Sequence, residues 1–219
     1  MVKVREIFAS IQGEGPFIGY KQLFMRLCAC NLHCAYCDTE FDIKNAQDFS
    51  VSELLEIVNK NQDCHSLSFT GGEPLLSIEF LKEFCPKSTL PIYLETNGTL
   101  YNNLIEIIDF IDFVASDIKL PSCTNLKPLW EEHDKFFNIA SKKILFAKAV
   151  FNSKIEDEEI KNACDLCYKY NTELILQPMM NGNIPSVTSE FMQKTLDKAL
   201  ACYSKVRLIP QVHKFINVQ

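Results

Sequence analysis

The chain has 219 residues, 47% of them hydrophobic and 23% charged, which excludes a disordered or fibrous chain and fits one domain with a modest elaboration. Lys and Arg number 22 against 28 Asp and Glu, a net charge of −6, so a nucleic-acid backbone is not the expected partner, because phosphate binding needs a basic face. The first nine residues alternate charged and apolar types and predict no secretory signal; the apolar stretch 104–115 is broken by Glu106, Asp109 and Asp112, so no membrane span is expected.

The first strand-like run is 22–27, apolar except for Arg26 near its end. A cysteine-rich loop follows. From residue 50 onward, helix-like segments (51–60, 78–84, 101–110, 130–142, 155–170 and 188–203) alternate with short apolar runs (66–70, 91–95, 113–116, 144–151, 173–176 and 205–209). Ser50, Ser77, and Ser186 or Thr188 are suited to cap the helix starts. The runs are apolar on both faces, as in a parallel sheet covered by helices. Strand–helix alternation at this spacing reads as repeated βα units. The count predicts an α/β fold, an incomplete (βα)6-type barrel over residues 1–219, because a closed eight-unit barrel typically needs about 250 residues.

Polar and glycine-rich groups follow each strand: Gly71-Gly72-Glu73-Pro74, Glu95-Thr96-Asn97-Gly98, Ser116-Asp117-Ile118-Lys119, Gln177-Pro178, and Pro210-Gln211-Val212-His213-Lys214. Sites in barrels and open α/β sheets are built at these C-terminal strand ends. A strand-to-helix turn needs glycine but does not need Glu73, so the Gly-Gly-Glu-Pro segment points to backbone approaching a bound amino group. The 95–98 and 116–119 segments suit a ribose or a carboxylate. Arg26 inside an apolar run would be costly unpaired; its fork suits a substrate carboxylate, or else an internal pair with Glu14 or another acid. His213, two residues after Gln211, reads as a substrate contact.

Ten cysteines stand at 28, 30, 34, 37, 64, 85, 123, 164, 167 and 202. A cytoplasmic setting keeps thiols reduced, so clustered cysteines point to metal before disulfides. Cys30, Cys34 and Cys37 form C-x3-C-x2-C, whose thiolates can converge on one soft centre. Tetrahedral zinc would add His33 or Cys28; an iron–sulfur cluster can use three thiolates and leave one iron open. Cys28, at a strand end, is expected in the core. Ile160, Cys164, Cys167 and Tyr168 fall on one helical stripe, so Cys164 and Cys167 read as packing and not as a second metal site.

The C-x3-C-x2-C loop after the first strand, with Tyr36 before the last cysteine and Gly-Gly-Glu-Pro after the next strand, resembles the radical S-adenosylmethionine superfamily. That resemblance implies a [4Fe–4S] cluster on Cys30, Cys34 and Cys37. It also implies S-adenosylmethionine chelated to the fourth iron and one-electron cleavage to a 5′-deoxyadenosyl radical. The run Glu-Ile-Phe-Ala-Ser-Ile-Gln-Gly-Glu-Gly at 6–15, Phe24-Met25-Arg26-Leu27, Cys37-Asp38-Thr39 and the 210–214 tail are similar to the 7-carboxy-7-deazaguanine synthases. Those enzymes contract the ring of 6-carboxy-5,6,7,8-tetrahydropterin with loss of ammonia, on the route to queuosine and other deazapurines.

The resemblance assigns cofactor contacts to Tyr36, Asp38, Gly71, Gly72, Glu73, Thr96, Asn97, Ser116, Asp117, Lys119 and Gln177. It assigns substrate contacts to Ile11, Gln12, Gly13, Arg26, Thr70, Gln211 and His213, and acid–base candidacy to Glu14 and His213. It further implies Mg2+ at Thr39, a homodimer, an electron donor of flavodoxin or ferredoxin type, and an N-terminal loop and C-terminal tail lying over the site. Cys28-Ala29 departs from the family's usual small residue followed by glycine, and 120–145 matches no family motif. Two rivals share parts of the pattern. A glycyl-radical-enzyme activase has the cluster but commonly carries His-Asn where Asp38-Thr39 stands, and a zinc-dependent regulatory module would use the cysteines alone.

Overall fold

Short apolar runs separated by amphipathic segments fold as the alternation dictates, into a sheet with its helices on one side. The structure is a computed structural model and describes residues 1–37 and 46–218. Its main sheet contains β1 (Val2–Ile11), β2 (Lys21–Leu27), β3 (Gln47–Phe49), β4 (Ser66–Gly71), β5 (Ile92–Thr96), β6 (Phe113–Asp117), β7 (Ile144–Phe151), β8 (Glu173–Pro178) and, after a small β9–β10 hairpin (Met180–Asn181 and Ile184–Pro185), β11 (Val206–Leu208). The order is β11-β8-β7-β6-β5-β4-β2-β1-β3. From β2 to β11 all neighbours are parallel and sequential, while β1 and β3 pair antiparallel at one edge. The connecting helices are α1 (Val51–Asn59), α2 (Ile78–Phe84), α3 (Tyr101–Ile107), the short α4 (Pro121–Thr124), α5 (Trp130–Ala140), α6 (Asp157–Lys169) and α7 (Ser189–Cys202), with α8 (Val212–Ile216) in the tail. This is the incomplete barrel that the repeat of βα units predicts.

Strand period divides the apolar residues between two cores. Leu23, Met25 and Leu27 of β2 point outward with Leu67 and Phe69 of β4 and bury against helix residues such as Leu54, Phe84 and Phe137. The inner face holds a much smaller cluster of Tyr93, Ala115, Phe146 and Ile175. The larger core carries the stability; the smaller one forms the base of a cavity. Ser50 closes a capping box with Glu53, and Thr188 accepts the Phe191 N–H at 3.3 Å. Ser77 makes no side-chain cap; Glu73 instead accepts the Leu75 N–H at 3.1 Å at the start of that turn.

Three expectations change. Residues 2–11 form a strand: Val2 and Val4 are buried, but the pairing with β2 is bulged between Val4 and Glu6, which breaks the period-2 signal. The 12–20 loop is not a cover. Its Phe17 ring packs on His65, Phe113, Tyr93 and Phe146, at or near the N-terminal ends of the strands, so this loop plugs the barrel from below. On α6, Ile160, Cys164 and Cys167 are buried as the stripe predicts, but Tyr168 is 73% exposed, because it follows Cys167 immediately and is turned about 100° away from it. All ten cysteines are free thiols. Among the described residues no helix is long and apolar enough to cross a membrane.

Candidate active site

The C-terminal ends of the parallel strands open onto a cavity of about 260 Å³. On one side lies the cysteine loop. It leaves β2 through Ala29, which takes a left-handed φ of 67°. Gly72 N–H donates to Leu27 O at 3.1 Å and Glu73 N–H to Ala29 O at 2.8 Å, so the end of β4 straps the root of the loop. The approach needs both glycines: a Cβ on Gly71 would lie 2.2 Å from Leu27 O, and one on Gly72 1.7 Å from Ala29 O. Farther along, Ala35 N–H donates to Thr124 O at 2.9 Å, tying the loop to α4. Cys30, Cys34 and Cys37 all line the cavity. Burial pushes the Cys30 and Cys34 thiols up, with Leu32 N–H opposing the rise at Cys30 and the Lys119 charge opposing it at Cys34.

Glu73 is fully buried behind the cavity wall and organises the next strand end. It accepts the Thr96 hydroxyl at 2.9 Å and the Asn97 N–H at 2.7 Å, and burial pushes its carboxyl up to about 7 despite these hydrogen bonds. Asn97 in turn donates to Asn31 Oδ1 at 2.8 Å inside the cysteine loop. His133 lies buried on α5. Its Nε2 accepts the Lys119 N–H at 3.1 Å and its Nδ1 meets Gly98 O at 3.1 Å, so its neutral ring joins the ends of β5 and β6; burial drives its pKa down to about 4.

The opposite side of the cavity is charged. Lys148 on β7 is 7% exposed and donates to Glu14 at 2.5 Å, with Asp117 at 3.5 Å. Asp117 also accepts Lys119 at 2.6 Å, and Lys119 reaches the Tyr36 hydroxyl at 3.1 Å. Burial is the largest single influence on Glu14 and works against its ionisation, but the Lys148 charge, hydrogen bonds from Lys148 and Gln211 and the His213 charge together outweigh it and hold the carboxyl down at about 2. Asp117 is also lowered: burial opposes this, and Lys119 and Lys148 prevail. Gln12 is buried between Gln22, to which it donates at 2.9 Å, and Glu95 at 3.0 Å. Thr70 donates to the other Glu95 oxygen at 3.1 Å. The tail closes on the loop from the far side: Val212 N–H donates to Gly13 O at 2.9 Å, and a Cβ on Gly13 would lie 2.4 Å from His213 Nδ1.

Most residues expected at the site come together here. Ile11, Gln12, Gly13, Glu14, Arg26, Tyr36, Thr70, Gly71, Gly72, Thr96, Asn97, Asp117, Lys119, Gln177, Gln211 and His213 line the cavity. Glu73 and Ser116 are fully buried and stand behind the lining residues. Asp38 and Thr39 lie outside the described residues. Arg26 donates through Nε to Glu6 at 3.0 Å, its guanidinium 6.0 Å from the Phe8 ring centroid, while Glu14 is paired with Lys148. Lining residues absent from the sequence-based set are Phe8, Phe24, Leu32, Lys148 and Val150, while Glu95 lines the cavity from the expected 95–98 segment. The signal for Lys148 was available: like Arg26, it is a lone cation within an apolar strand run.

The donor set fits an iron–sulfur cluster and an amino-acid-bearing nucleoside. Three soft thiols of one loop, Cys30 and Cys34 half-buried and Cys37 exposed, line the cavity, their loop root held against Gly71 and Gly72, beside hydroxyl, amide and carboxylate groups at the strand ends. Among the described residues no three His, Cys, Asp or Glu side chains are gathered as a ligand set for a single ion.

A family model described as the radical SAM superfamily matches residues 27–122, which span the cysteine loop, β4, β5 and β6. The chain is 35% identical to the 7-carboxy-7-deazaguanine synthase of Geobacter sulfurreducens over 98% of its length and 97% of that protein's. It is 34% identical to the synthase of Archaeoglobus fulgidus over the same shares. In three dimensions it is similar to the crystal structure of QueE from Escherichia coli, with a TM-score of 0.63 at 19% identity, covering 97% of this chain and 94% of that one. Methylornithine synthase shares the fold at a TM-score of 0.54 and 10% identity, over 85% of this chain and 63% of that one.

Proposed function

Because the chain belongs to the 7-carboxy-7-deazaguanine synthase family of the radical S-adenosylmethionine superfamily, we propose that its cavity contracts the ring of 6-carboxy-5,6,7,8-tetrahydropterin with loss of ammonia. The enzyme is a radical S-adenosylmethionine lyase that works with a [4Fe–4S] cluster, a small-molecule substrate and an external reductant. Among the readings the sequence left open, the relatives support the synthase over an activase or a zinc module. The observation that carries the reading is the placement of Cys30, Cys34 and Cys37 on the same cavity as Arg26, Gln12 and Glu14.

When bound, the cluster and S-adenosylmethionine would supply one-electron, hydrogen-abstracting chemistry. Cys30, Cys34 and Cys37 would hold the cluster. Gly71 and Gly72 let backbone approach the cofactor's amino group, and Thr96, Asn97, Asp117, Lys119 and Gln177 hold its polar groups. Arg26 takes the pterin carboxylate in a two-pronged pair, and Gln12 and Gln211 read the polar edge of the ring. Glu14 is held ionised, so it serves as a fixed hydrogen-bond acceptor for ring N–H groups and is a poor proton donor near neutral pH; His213 is the better candidate to move a proton. Phe8, Phe24 and Val150 keep water from the reacting carbon.

The reading extends to Mg2+ on the substrate side through Thr39, with substrate oxygens and water completing the octahedron, to a flavodoxin or ferredoxin as reductant, and to a homodimer. All three are carried by family resemblance. Turnover should need Mg2+ at unchanged iron content; equal rates without it would remove the ion from the reaction.

The test is anaerobic turnover of carboxytetrahydropterin with S-adenosylmethionine and reductant. The deazaguanine product and 5′-deoxyadenosine should form, and Cys34→Ala should lose both along with the cluster's absorbance. Cofactor cleavage with no deazaguanine would leave a radical enzyme with another substrate.

A further inference from the structure

Lys148 is a lone cation in an otherwise apolar strand, Ile144–Phe151, and its ammonium lies almost wholly out of water. Nothing in the family pattern at the strand ends asks for it. A buried lysine persists only where its charge is matched. Lys148 meets Glu14 from the loop at 2.5 Å and Asp117 from β6 at 3.5 Å, and Asp117 is shared with Lys119 at 2.6 Å. The four charges alternate in sign and sum to zero.

We propose that Lys148 is a positioning residue for the substrate: it fixes the Glu14 carboxylate, ionised and aimed into the cavity, and joins that substrate-side acid to the cofactor-side pair Asp117–Lys119. The proposal rests on the synthase reading of the cavity. The groups that face Glu14 are Lys148 from β7, Asp117 from β6, Tyr93 from β5, and Gln211 and His213 from the tail; Glu95 of β5 acts on Lys148. Without Lys148, Glu14 would stand in a buried site with Asp117 and Glu95 nearby. Its carboxyl would then take up a proton well above its present range, and a protonated acid cannot serve as a pure acceptor for ring N–H groups. Glu14 is also joined by Gln211 at 2.7 Å, so the same cation steadies the docking of the tail on the loop.

The experiment uses cluster-loaded protein. KM, and the dissociation constant of carboxytetrahydropterin by titration calorimetry, are measured from pH 5 to 8 for the wild type, Lys148→Met and Lys148→Arg. In the wild type neither constant should show an acid limb from Glu14. In Lys148→Met both should rise tenfold or more and worsen further as pH falls, while iron content and S-adenosylmethionine binding stay within twofold of the wild type. Lys148→Arg keeps the charge, so its profile should stay flat and its constants should recover to within a few-fold. A Lys148→Met enzyme with wild-type constants, or with weaker binding but a flat profile, overturns the proposal. If Lys148→Met does not yield cluster-loaded protein, Glu14→Gln carries the test: it should weaken pterin binding tenfold or more with cofactor binding unchanged, and wild-type binding would sink the idea. A wild type that binds S-adenosylmethionine but not the pterin would instead strike at the synthase reading.

Discussion

On the proposed function, Arg26 and Glu14 would divide the recognition of an anionic heterocycle between a cation and a fixed acceptor, and each role has a checkable cost. Arg26 already donates to Glu6 through Nε, which orients the fork from its base. Truncating one partner of a bidentate guanidinium–carboxylate pair in a desolvated pocket costs about 2–5 kcal/mol. Arg26→Ala should therefore raise KM strongly and Arg26→Lys less, because lysine keeps the charge and loses the fork, with iron content normal in both. Unfolding of the Ala variant, or an unchanged KM, would make the Glu6 pair its whole role. For Glu14 the prediction concerns stability. Its carboxyl falls from about 4.5 to about 2 on folding, so the native state binds fewer protons than the unfolded chain between those values. The contribution, on the order of 3 kcal/mol, is present above about pH 4.5 and is lost as pH falls through about 2. In urea unfolding of the cluster-free protein, Glu14→Gln should be less stable at pH 7, and the difference should shrink toward pH 3. A constant difference would mean that the Lys148 pair does not hold the charge. At this scale Arg26 was legible and Lys148 was not named, although both are lone cations in apolar strands. Arg26 stands next to the cysteine loop, where a site was already suspected, whereas Lys148 lies in the middle of a strand far along the chain.

The strap between β4 and the cysteine loop is a contact between two elements, and it depends on backbone meeting backbone. A methyl group on Gly72 would lie 1.7 Å from Ala29 O, so Gly72→Ala must push the loop root off β4. Iron incorporation should fall sharply in reconstitution while the far-UV circular dichroism stays near that of the wild type, because the outer core is untouched. Full iron loading in this variant would show that the loop can be held without the strap. Ala29, on the other side of the strap, takes a left-handed φ of 67°, a conformation that favours glycine. A left-handed conformation costs an L-residue about 1–2 kcal/mol, part of which glycine gives back through its freer unfolded chain. Ala29→Gly should stabilise the cluster-free protein by up to about 1 kcal/mol in urea unfolding. The βα repeat was readable because its helices have one-sided apolar stripes and its strands do not. β1 was not, since the bulge after Val4 shifts which residues face inward, and β3, at the exposed edge, has only one apolar residue in Gln-Asp-Phe. The tail helix α8 is five residues long and buries none of them, so no periodicity marked it.

An incomplete barrel has to close its axis with something other than strands, and here the 12–20 loop does so. Phe17 packs at 4.8 Å on Phe113, 5.6 Å on Tyr93, 5.8 Å on His65 and 6.1 Å on Phe146, filling the space beneath the charged cavity. Gly15, with φ of 64°, sits where any Cβ would strike the Phe146 ring at 2.4 Å, so the loop is shaped to this floor. The floor has two effects on the whole molecule. It joins strands β4 to β7 to the N-terminal segment, and it keeps water from reaching Glu14 and Lys148 from below. Phe17 is partly buried, so Phe17→Ala should cost about 1–3 kcal/mol, below the range for deleting a fully buried ring, and Phe17→Leu should recover most of it by refilling the space. The outer core is far larger but shares every strand with the inner one, so the loss should appear as one cooperative transition and not as a separate local melting. Trp130, the single tryptophan, sits on α5 in the outer layer and reports there, whereas far-UV circular dichroism reports the whole sheet. In urea the two midpoints should coincide for the wild type and move down together in Phe17→Ala. If the tryptophan midpoint holds while the circular dichroism midpoint falls, the inner floor unfolds on its own and the two cores are energetically separate. A loss under about 1 kcal/mol would mean that neighbouring side chains such as Tyr20 reseal the barrel without Phe17.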